Sequence, residues 1–521
     1  MRLIAMTALA VGAVVLGRPA GAEAATPCAA LAQIKIEATN LLSAADVPAA
    51  GDLPAYCRVL GYVRPAVNFE LRLPLDGWNG KFYEAGCGGF CGMLDADRPG
   101  VFNSITYAQR RNYAVLAMDS GHWGASSVDG RWALDNPVAK ADWAWRAVTE
   151  TARVGKLLVA AFYAKPPGHA YFNGCSTGGR MAGVEATRFP GDFDGIIMGA
   201  PALDYTGLVA TFFAFLTQAN TGPDGRQILG AARMPLVEGA VRAACAGPDG
   251  LVADPRRCTF WPETLQCKPG ENADTCLTAA ETGVLRKWYD GPRDAAGNQL
   301  YPGGVPLGSE ANWGLWLTGA GGRPPAMPLF ARDFLRYMAF EPDAGPTYSV
   351  ADFDLARDPA RLAPMAALYN AATWVPGRPG HVSGGDLRGF AAHDGRMIIW
   401  QGWGDPLVTP FLTVAWYEAL AQAAGGIDSL RDTARLFMVP GMDHCGINPN
   451  SASITDTGLD PLTALEHWVE QGTAPDSLLA TKRTKTGQTA WQRPVCAYPQ
   501  AAKLTDGADP TQAASWHCAA E

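Results

Sequence analysis

Two dipeptides that lie far apart in the chain carry the residue types of nucleophilic catalysis. They are Cys175-Ser176 and His444-Cys445. A disulfide between the two cysteines would hold their alpha carbons about 4.4–6.8 Å apart and would bring the neighbouring serine and histidine into one small region. A serine hydroxyl is a poor nucleophile at its ordinary pKa, so it needs a base within hydrogen-bonding reach. The two dipeptides therefore predict a serine nucleophile with His444 as its base.

The sequence around Ser176 is typical of a sharp turn from a strand into a helix. Gly-Cys-Ser-Thr-Gly at 174–178 matches the G-x-S-x-G pattern, in which small residues allow a tight turn that exposes the serine. The residues at 169–173 predict the strand before this turn, 180–188 predict a helix after it, and 194–199 predict the next buried strand. This order of elements predicts an α/β fold, specifically an α/β-hydrolase core.

His444 is the histidine best placed to act as the base. It follows an apolar run at 436–440 and Gly441, which places it on a loop just beyond a predicted strand. The other six histidines lack such a setting, and we expect them to be surface or hydrogen-bonded structural residues: His122, His169, His381, His393, His467 and His517.

Asp405 is the favoured carboxylate to orient His444. It follows an apolar run that ends in glycines, and a proline five residues later opens a predicted helix. The order Ser176, Asp405, His444 is the chain order of the triad in α/β-hydrolases. Two alternatives remain. Asp405 could merely cap the following turn, or Asp443 could take its place, which ranks lower because adjacent side chains on a loop usually diverge.

Together these motifs resemble the tannase and feruloyl esterase family of secreted serine esterases. The resemblance extends over six segments: Cys-Ser at 175–176, Gly-Trp-x-Asp-Pro at 402–406, His-Cys at 444–445, Leu-x-Leu-Pro-x-x-Gly-Trp-Asn-Gly at 71–80, Gly-Cys-Gly-Gly-Phe-Cys-Gly at 86–92 and Asp-Ser-Gly-His at 119–122. It implies hydrolysis of an aromatic carboxylic ester, such as a gallate, a hydroxycinnamate (ferulate) or a terephthalate monoester, through an acyl-enzyme. It also implies that Ser176 is the nucleophile, Asp405 the orienting acid and His444 the base.

An acyl-transfer site also needs hydrogen-bond donors aimed at the developing oxyanion. The geometry of the turn assigns one of them to the backbone N–H of Thr177. The glycine-rich loop at 86–92 is expected to supply the other from Gly88 or Gly89, unless this loop is only a tight turn. The family usually has a different residue type at the position of Cys87, which leaves room for an additional disulfide in this loop.

The first 24 residues are typical of an export signal. One early arginine, an uncharged apolar core and small residues at Ala22 and Ala24 favour a cleaved signal peptide. The apolar core is shorter than the roughly 20 residues of a membrane span. We therefore expect a secreted or periplasmic protein with no membrane anchor. An oxidising compartment suits the 12 cysteines, which permit up to six disulfides.

The resemblance implies a disulfide between Cys175 and Cys445. Short separations together with the resemblance suggest three more: Cys245–Cys258, Cys267–Cys276 and Cys496–Cys518. The connectivity of the other four cysteines stays open: Cys28, Cys57, Cys87 and Cys91. Zinc is not expected, because the Cys-x-x-x-Cys spacing at 87–91 lacks a second pair of ligands.

The chain is organised as a hydrolase core interrupted by a large insertion, because strand and helix signals stop near Pro201 and resume at Met397. The expected division is a signal peptide at 1–24, a catalytic domain at 25–201 and 397–521, and a lid domain at 202–396. An insertion at this point should lie beside the carboxyl ends of the strands, where Ser176 is presented. Its aromatic residues could line an aryl pocket or simply form the core of the lid.

A loop of the insertion at 245–258 resembles the calcium-binding loop of the family. It offers Asp249 and Asp254 but lacks two earlier aspartates of the family pattern. Calcium takes six to eight oxygen ligands, so these two carboxylates would need several carbonyl ligands beside them. We expect no required cofactor, with Ca²⁺ in the lid as the alternative.

The formal net charge of −8 argues against nucleic acid as a partner, and the expected partner is a small aromatic ester. The lid arginines are candidates to bind a substrate carboxylate, although a solvated surface position is the expectation for each: Arg323, Arg332 and Arg336. The sequence does not determine the oligomeric state. Two other functions would keep the same residues: a different serine hydrolase on this fold, either a peptidase or an acyltransferase, and a noncatalytic secreted binding protein.

Overall fold

The computed structural model describes residues 25–272, 274–373, 386–448 and 451–520. The strands are β1 (Thr39–Val47), β2 (Tyr56–Val63), β3 (Val67–Pro74), β4 (Lys81–Ala85), β5 (Ala114–Met118), β6 (His169–Cys175), β7 (Gly195–Gly199), β8 (Arg396–Gly402), β9 (Ala434–Val439), β10 (Ser477–Arg483), β11 (Thr489–Cys496), β12 (Gln500–Leu504) and β13 (Trp516–Ala520). The α-helices are α1 (Thr106–Gln109), α2 (Pro137–Ala141), α3 (Ala147–Tyr163), α4 (Thr177–Arg188), α5 (Phe213–Ala219), α6 (Met234–Cys245), α7 (Ala279–Asp290), α8 (Ala326–Tyr337), α9 (Ala363–Tyr369), α10 (Arg388–Ala392), α11 (Pro410–Ala423), α12 (Ile427–Arg431) and α13 (Pro461–Gln471). The predicted signal peptide at 1–24 lies outside the described residues.

Nine strands form one mixed sheet in the order β1-β2-β3-β5-β4-β6-β7-β8-β9. Strands β1, β2 and β3 pair antiparallel, and β3 joins β5 antiparallel. From β5 to β9 every pairing is parallel. The carboxyl ends of β4, β6, β7, β8 and β9 therefore meet at one edge of the sheet, which is where α/β folds place their ligand sites.

Two hydrophobic cores lie on opposite faces of this sheet. Neighbouring residues of β7 alternate between them, with Ile196 and Met198 in one core and Ile197 in the other. Helices α3, α4 and α11 pack into the first core, and α1 and α13 pack into the second. A mixed, mainly parallel sheet covered by helices on both faces confirms the predicted α/β class.

The segment between β7 and β8 contains α5 to α10 and leaves the sheet at the carboxyl end of β7. Its aromatic residues pack on one another. Trp288 meets Trp313 edge to face with ring centroids 5.2 Å apart, and Phe212 stacks on Tyr301 at 4.9 Å. Many of the aromatic residues thus form the core of the insertion itself. The division into a catalytic domain and a lid at 202–396 stays a prediction.

Six disulfides join all 12 cysteines. Four of them are the pairs suggested above, and the open connectivity is resolved as Cys28–Cys57 and Cys87–Cys91. Over the described parts of the chain, no helix has both the length and the apolar character needed to cross a membrane.

Candidate active site

Ser176 occupies the turn between β6 and α4. Its backbone has φ 66° and ψ −120°, which is costly for a residue with a side chain and typical of the strained turn that presents a nucleophile. Glycines allow the turn to close, because a Cβ on Gly174 would lie 2.2 Å from Gly178 O. The Asn103 side-chain amide holds the preceding residue, accepting from Cys175 N at 2.9 Å and donating to Cys175 O at 3.0 Å. The local sequence therefore fixes the position from which the Ser176 hydroxyl projects.

Asp405 and His444 lie on the loops that follow β8 and β9, and their side chains are joined by a hydrogen bond. His444 Nδ1 donates to Asp405 Oδ2 at 2.8 Å. Asp405 is fully buried, and its carboxylate accepts three further hydrogen bonds, from Gln401 Nε2 at 3.0 Å and from the backbone N–H groups of Leu407 and Val408 at 2.9 Å each. Four donors hold this carboxylate in one orientation, so His444 keeps its proton on Nδ1 and turns Nε2 toward the cavity as an acceptor.

The Cys175–Cys445 disulfide links these two parts of the site. Its Cα atoms are 6.0 Å apart although the cysteines are separated by 270 positions. Ser176 and His444 consequently line the same cavity. Among the described residues no hydrogen bond closes between Ser176 Oγ and His444 Nε2, which lies 3.6 Å from Cys445 Sγ. A bond of this kind often forms only when substrate is bound.

Asp443, the lower-ranked alternative to Asp405, makes no hydrogen bond to the His444 ring within the described structure. Its Oδ1 accepts a hydrogen bond from Trp316 Nε1 at 3.1 Å, and its buried Oδ2 has no partner within the described structure. Burial, and then the nearby charge of Asp405, raise the pKa of Asp443 to about 7. Asp443 therefore neighbours the Asp405–His444 pair without taking part in it.

The loop after β4 lies against the start of α4. A Cβ on Gly86 would come within 2.7 Å of Gly178 Cα, so the two segments touch through glycines. Thr177 Oγ1 donates to Gly89 O at 2.6 Å, and both Gly88 and Gly89 line the cavity. Within the described chain, the N–H groups of these two glycines have no acceptor. The loop that carries Gly88 and Gly89 thus packs against the residue that directly follows Ser176.

A cavity of about 380 Å³ opens over Ser176 and His444. One wall comes from the core and contains the loop after β4. The other wall comes from the insertion and consists of four residues: Leu315, Trp316, Ala326 and Phe330. This volume lies at the lower end of the range of about 300–1,000 Å³ that is usual for small-molecule sites.

Two aromatic residues of the insertion contact the core wall directly. The Trp316 ring meets the His444 ring edge to face, with centroids 5.4 Å apart and planes at 88°. Phe330 meets Phe90 in the same manner at 5.3 Å and 80°. Sequence reasoning treated the aromatic residues of the insertion as a group and singled out none. A tryptophan in the core of the insertion and a tryptophan that lines the pocket have similar neighbours in the sequence, so the sequence alone does not distinguish them.

The arginine at the cavity is not one of the three lid candidates. Arg98, on the loop between β4 and α1, lines the cavity. Arg332 pairs with the neighbouring Asp333 at 2.7 Å, Arg336 Nε donates to Tyr348 O at 2.8 Å, and none of the three lid arginines lines the cavity. No motif surrounds Arg98, so only its position in the folded chain could have identified it.

The two carboxylates of the candidate calcium loop are engaged by arginines. Arg256 holds both oxygens of Asp254, with Nη2 at 2.6 Å from Oδ2 and Nε at 3.0 Å from Oδ1, and Arg493 pairs with Asp249. A guanidinium that occupies the oxygens a cation would use does not fit a Ca²⁺ site of six to eight oxygen ligands. No step of the mechanism is therefore derived through calcium.

Comparison with known proteins bears on the whole chain. The family model for tannase and feruloyl esterase matches residues 53–519. The chain is 34% identical to an uncharacterized esterase of Xanthomonas campestris pv. campestris, over 96% of this chain and 92% of that protein. It is 31% identical to the mono(2-hydroxyethyl) terephthalate hydrolase of Piscinibacter sakaiensis, over 90% of this chain and 86% of that protein.

A solved structure shows the same arrangement of elements. Feruloyl esterase B from Aspergillus oryzae superposes with a TM-score of 0.80 at 25% sequence identity, and the match covers 95% of this chain and 100% of that one. The sheet, the helices on its faces and the long insertion are thus shared with an enzyme that has a comparable length.

Proposed function

The chain belongs to the tannase and feruloyl esterase family and is a carboxylic ester hydrolase, and from that premise we propose that it cleaves aromatic carboxylic esters through an acyl-enzyme on Ser176. The observation that carries the proposal is the hydrogen bond between buried Asp405 and His444 in the cavity that Ser176 lines. A serine, a histidine and a carboxylate that orients the histidine are the residues of the Ser-His-Asp triad, which performs this chemistry on several unrelated folds.

Each residue has one role in the proposed cycle. His444 Nε2 accepts the proton of Ser176 Oγ as this oxygen attacks the ester carbonyl carbon. Asp405 keeps the other ring nitrogen protonated and stabilises the positive imidazolium. His444 then gives its proton to the leaving alcohol, which departs and leaves an ester of Ser176. A water molecule repeats the sequence with His444 as base, and the free acid is released.

The oxyanion that forms in both halves of the cycle is assigned to backbone N–H groups of Thr177 and of Gly88 or Gly89. Thr177 is the first residue of α4, where the N–H groups lack partners within the helix and the helix dipole favours a negative charge. The glycine amides are supported by their place at the cavity and by the absence of acceptors for them within the described chain. Removal of one such donor typically costs about 10²–10³ in rate.

The aromatic substrate class is supported by the cavity and by the relatives. Trp316 and Phe330 offer aromatic surface beside His444. The two named relatives act, by their names, on a feruloyl ester and on mono(2-hydroxyethyl) terephthalate. We therefore assign to this chain an ester of a benzoic or cinnamic type of acid: a gallate, a ferulate or a terephthalate monoester.

Export is part of the same proposal. The pattern at 1–24 favours a cleaved signal peptide, and six disulfides suit an oxidising compartment outside the cytoplasm. N-terminal sequencing of the protein recovered from the medium or the periplasm should give a first residue near Ala25. Recovery only as the full-length chain in the cytoplasm would contradict export.

The decisive test of function compares three esters with the purified mature protein: methyl gallate, methyl ferulate and mono(2-hydroxyethyl) terephthalate. We expect turnover of at least one, and no turnover above background in folded Ser176→Ala. Matched anilides should be far poorer substrates. Equal cleavage of amide and ester would point to a peptidase, and binding without turnover would point to a binding protein. Full activity in Ser176→Ala would refute the acyl-enzyme.

A further inference from the structure

The motif Asp-Ser-Gly-His at 119–122 has no role in the cycle above, yet it holds the loop that carries the candidate oxyanion amides. His122 Nε2 lies 2.7 Å from Phe90 O. A carbonyl oxygen can only accept, so Nε2 carries the proton and donates. Two positions on, Gly92 N donates to Asp119 O at 3.1 Å. The motif is therefore hydrogen-bonded to the second half of this loop, at Phe90 and at Gly92.

The His122 ring is itself held firmly. It is 7% exposed and stacks on the Trp132 ring with centroids 3.6 Å apart and planes at 15°. Burial lowers the pKa of His122 to about 4, so the ring is neutral in the physiological range. The backbone before it is fixed as well, because Asp119 Oδ1 accepts from Gly121 N at 2.9 Å and from Asn68 N at 3.0 Å. A neutral, oriented imidazole is thus available as a fixed donor.

A hydrogen-bond path leads from this ring to the cavity through two peptide groups. Phe90 O and Cys91 N belong to one rigid peptide plane. Cys91 N in turn donates to Gly88 O at 3.0 Å. Gly88 O and Gly89 N belong to the next rigid plane, and Gly89 lines the cavity. The bond from His122 fixes the orientation of the Phe90–Cys91 peptide plane, and the bond from Cys91 N fixes that of the Gly88–Gly89 plane. The direction of the Gly89 N–H therefore depends on the His122 donor.

The rest of the loop supports the same orientation. Gly89 adopts φ 60°, and a Cβ there would lie 2.3 Å from Ser127 O, so no other residue fits. The Cys87–Cys91 disulfide closes the loop around the path. Thr177 Oγ1 holds the Gly89 carbonyl at 2.6 Å from the side of α4. Two side chains thus hold the loop by hydrogen bonds: Thr177 at the start of α4 and His122, which does not line the cavity.

We propose that His122 is a positioning residue, which orients and polarises the Gly89 N–H toward the oxyanion through the Phe90–Cys91 and Gly88–Gly89 peptide planes. His122 is not among the residues that line the cavity and touches no reacting atom. Chains of hydrogen bonds polarise one another in a low-dielectric interior, so loss of the terminal donor weakens as well as misdirects the last one. The proposal rests on the proposed function and selects Gly89 over Gly88.

The test compares three variants of the mature enzyme. His122→Phe keeps the stacked ring and removes the donor. His122→Gln keeps an N–H group near the position of Nε2, and Trp132→Phe changes the packing of the ring without touching the bond to Phe90. For folded His122→Phe we expect kcat to fall about 10- to 100-fold with KM within about 2-fold, somewhat less than the complete loss of an oxyanion donor. His122→Gln should recover most of the loss, and Trp132→Phe should stay within about 3-fold.

Inhibitor binding separates a role at the oxyanion from a general structural role. An arylboronic acid adds to the serine hydroxyl and forms a tetrahedral anion. The product acid binds as a planar carboxylate and forms no such adduct. In His122→Phe the boronic acid should weaken by the same factor as kcat/KM, while the Ki of the product acid stays within about 2-fold. If the Phe variant fails to fold, His122→Asn, whose shorter amide does not reach Phe90 O, replaces it beside His122→Gln.

Three results would overturn the proposal. They are unchanged kcat in folded His122→Phe or His122→Asn, equal weakening of the boronic acid and the product acid, and a loss in Trp132→Phe as large as that in His122→Phe. Failure of the proposed function would be distinguishable, because then either the parent protein would turn over none of the esters or Ser176→Ala would keep its activity, whatever the result at His122.

Discussion

The two walls of the cavity are built in opposite ways. On the core wall the orienting groups are held by specific bonds: Asp405 accepts four hydrogen bonds, and a disulfide joins Cys175 to Cys445. On the insertion wall the side chains are apolar, and the Trp316 N–H to Asp443 is the polar link from these side chains to the core within the described residues.

This difference separates two tasks of an enzyme. A site that stabilises charge must hold its donors in place before the reaction, because reorientation during the reaction costs free energy. A surface that selects a substrate works through shape and aromatic contact, and it tolerates exchange of side chains. Changes in the core wall should therefore reduce kcat for every substrate, and changes in the insertion wall should alter the choice among substrates.

The largest effect short of loss of Ser176 is expected from Asp405→Asn. Leu407 N and Val408 N would keep the Asn oxygen at their side and turn its NH₂ group toward Gln401 Nε2 and His444. His444 Nδ1 would then face a donor and lose its proton to Nε2, which is the wrong tautomer for a base. We expect kcat to fall about 10⁴-fold with little change in KM, measured on any ester that is turned over.

Asp443→Asn is the matched control, because it changes the other buried carboxylate beside His444 and keeps an oxygen for the Trp316 N–H. Its kcat should stay within about 3-fold of the parent enzyme. A large loss in Asp443→Asn together with a small one in Asp405→Asn would reverse the assignment of the orienting acid.

A smaller and substrate-dependent effect is expected from Trp316→Ala. The indole packs edge-on to the His444 ring and forms part of the insertion wall. Loss of this aromatic contact should raise KM for an aryl acid ester about 10-fold, which corresponds to about 1.4 kcal/mol. Turnover of p-nitrophenyl acetate, whose small acyl group does not reach the wall, should change less than about 3-fold. An equal loss on both substrates would place Trp316 with the core wall instead.

The sequence predicts those parts of the site whose structure is determined by residues close together in the chain. The strand expected at 169–173 is β6, the helix expected at 180–188 lies within α4, and the helix opened by Pro410 is α11. Ser176 could be identified because its turn demands glycines within two residues, whatever the rest of the chain does. Asp405 and His444 could be paired because each directly follows a predicted strand, and the two strands, β8 and β9, are parallel neighbours that end at the same edge of the sheet.

The parts that the sequence does not predict depend on contacts between distant segments. His122 acts on Phe90 across 32 positions, and Trp316 acts on Asp443 across 127. Neither contact leaves a spacing pattern in the chain, since any histidine or tryptophan in a buried position looks the same. The pairing of the four remaining cysteines is open for the same reason, because the sequence is compatible with all three of their possible connectivities.

Arg98 tests whether the core wall also contributes to selection. It lines the cavity but is only partly buried. An ion pair at such a position contributes about 0.2–1 kcal/mol, so Arg98→Ala should raise KM about 1.4- to 5-fold for mono(2-hydroxyethyl) terephthalate, which carries a free carboxylate. KM for the uncharged methyl ferulate should not change. Arg323→Ala is the control, because Arg323 is an exposed arginine of the insertion outside the cavity, and it should leave both values unchanged.

Asp443 is hydrogen-bonded to Trp316 where the two walls meet. We expect Asp443→Asn to have the smallest effect on turnover but a clear effect on the free energy of unfolding. The pKa of Asp443 is raised to about 7, chiefly by burial, so the folded protein holds a proton that the unfolded chain loses near the ordinary value of 3.8. This contribution is fully present below that ordinary value, declines as the pH rises toward 7, and is lost above it. Asp443→Asn cannot ionise and should remove this pH dependence.

Urea unfolding of Asp443→Asn and the parent enzyme at pH 5 and pH 8 measures the difference. The free energy of unfolding of the variant, relative to that of the parent, should rise between the two pH values, at a rate of up to about 1.4 kcal/mol per pH unit below pH 7. The Asn amide leaves the Trp316 link in place, so a parallel pH dependence in the two proteins would mean that Asp443 ionises in the folded state as readily as in water. Water would then reach the Asp443 carboxylate more readily than its low exposure indicates.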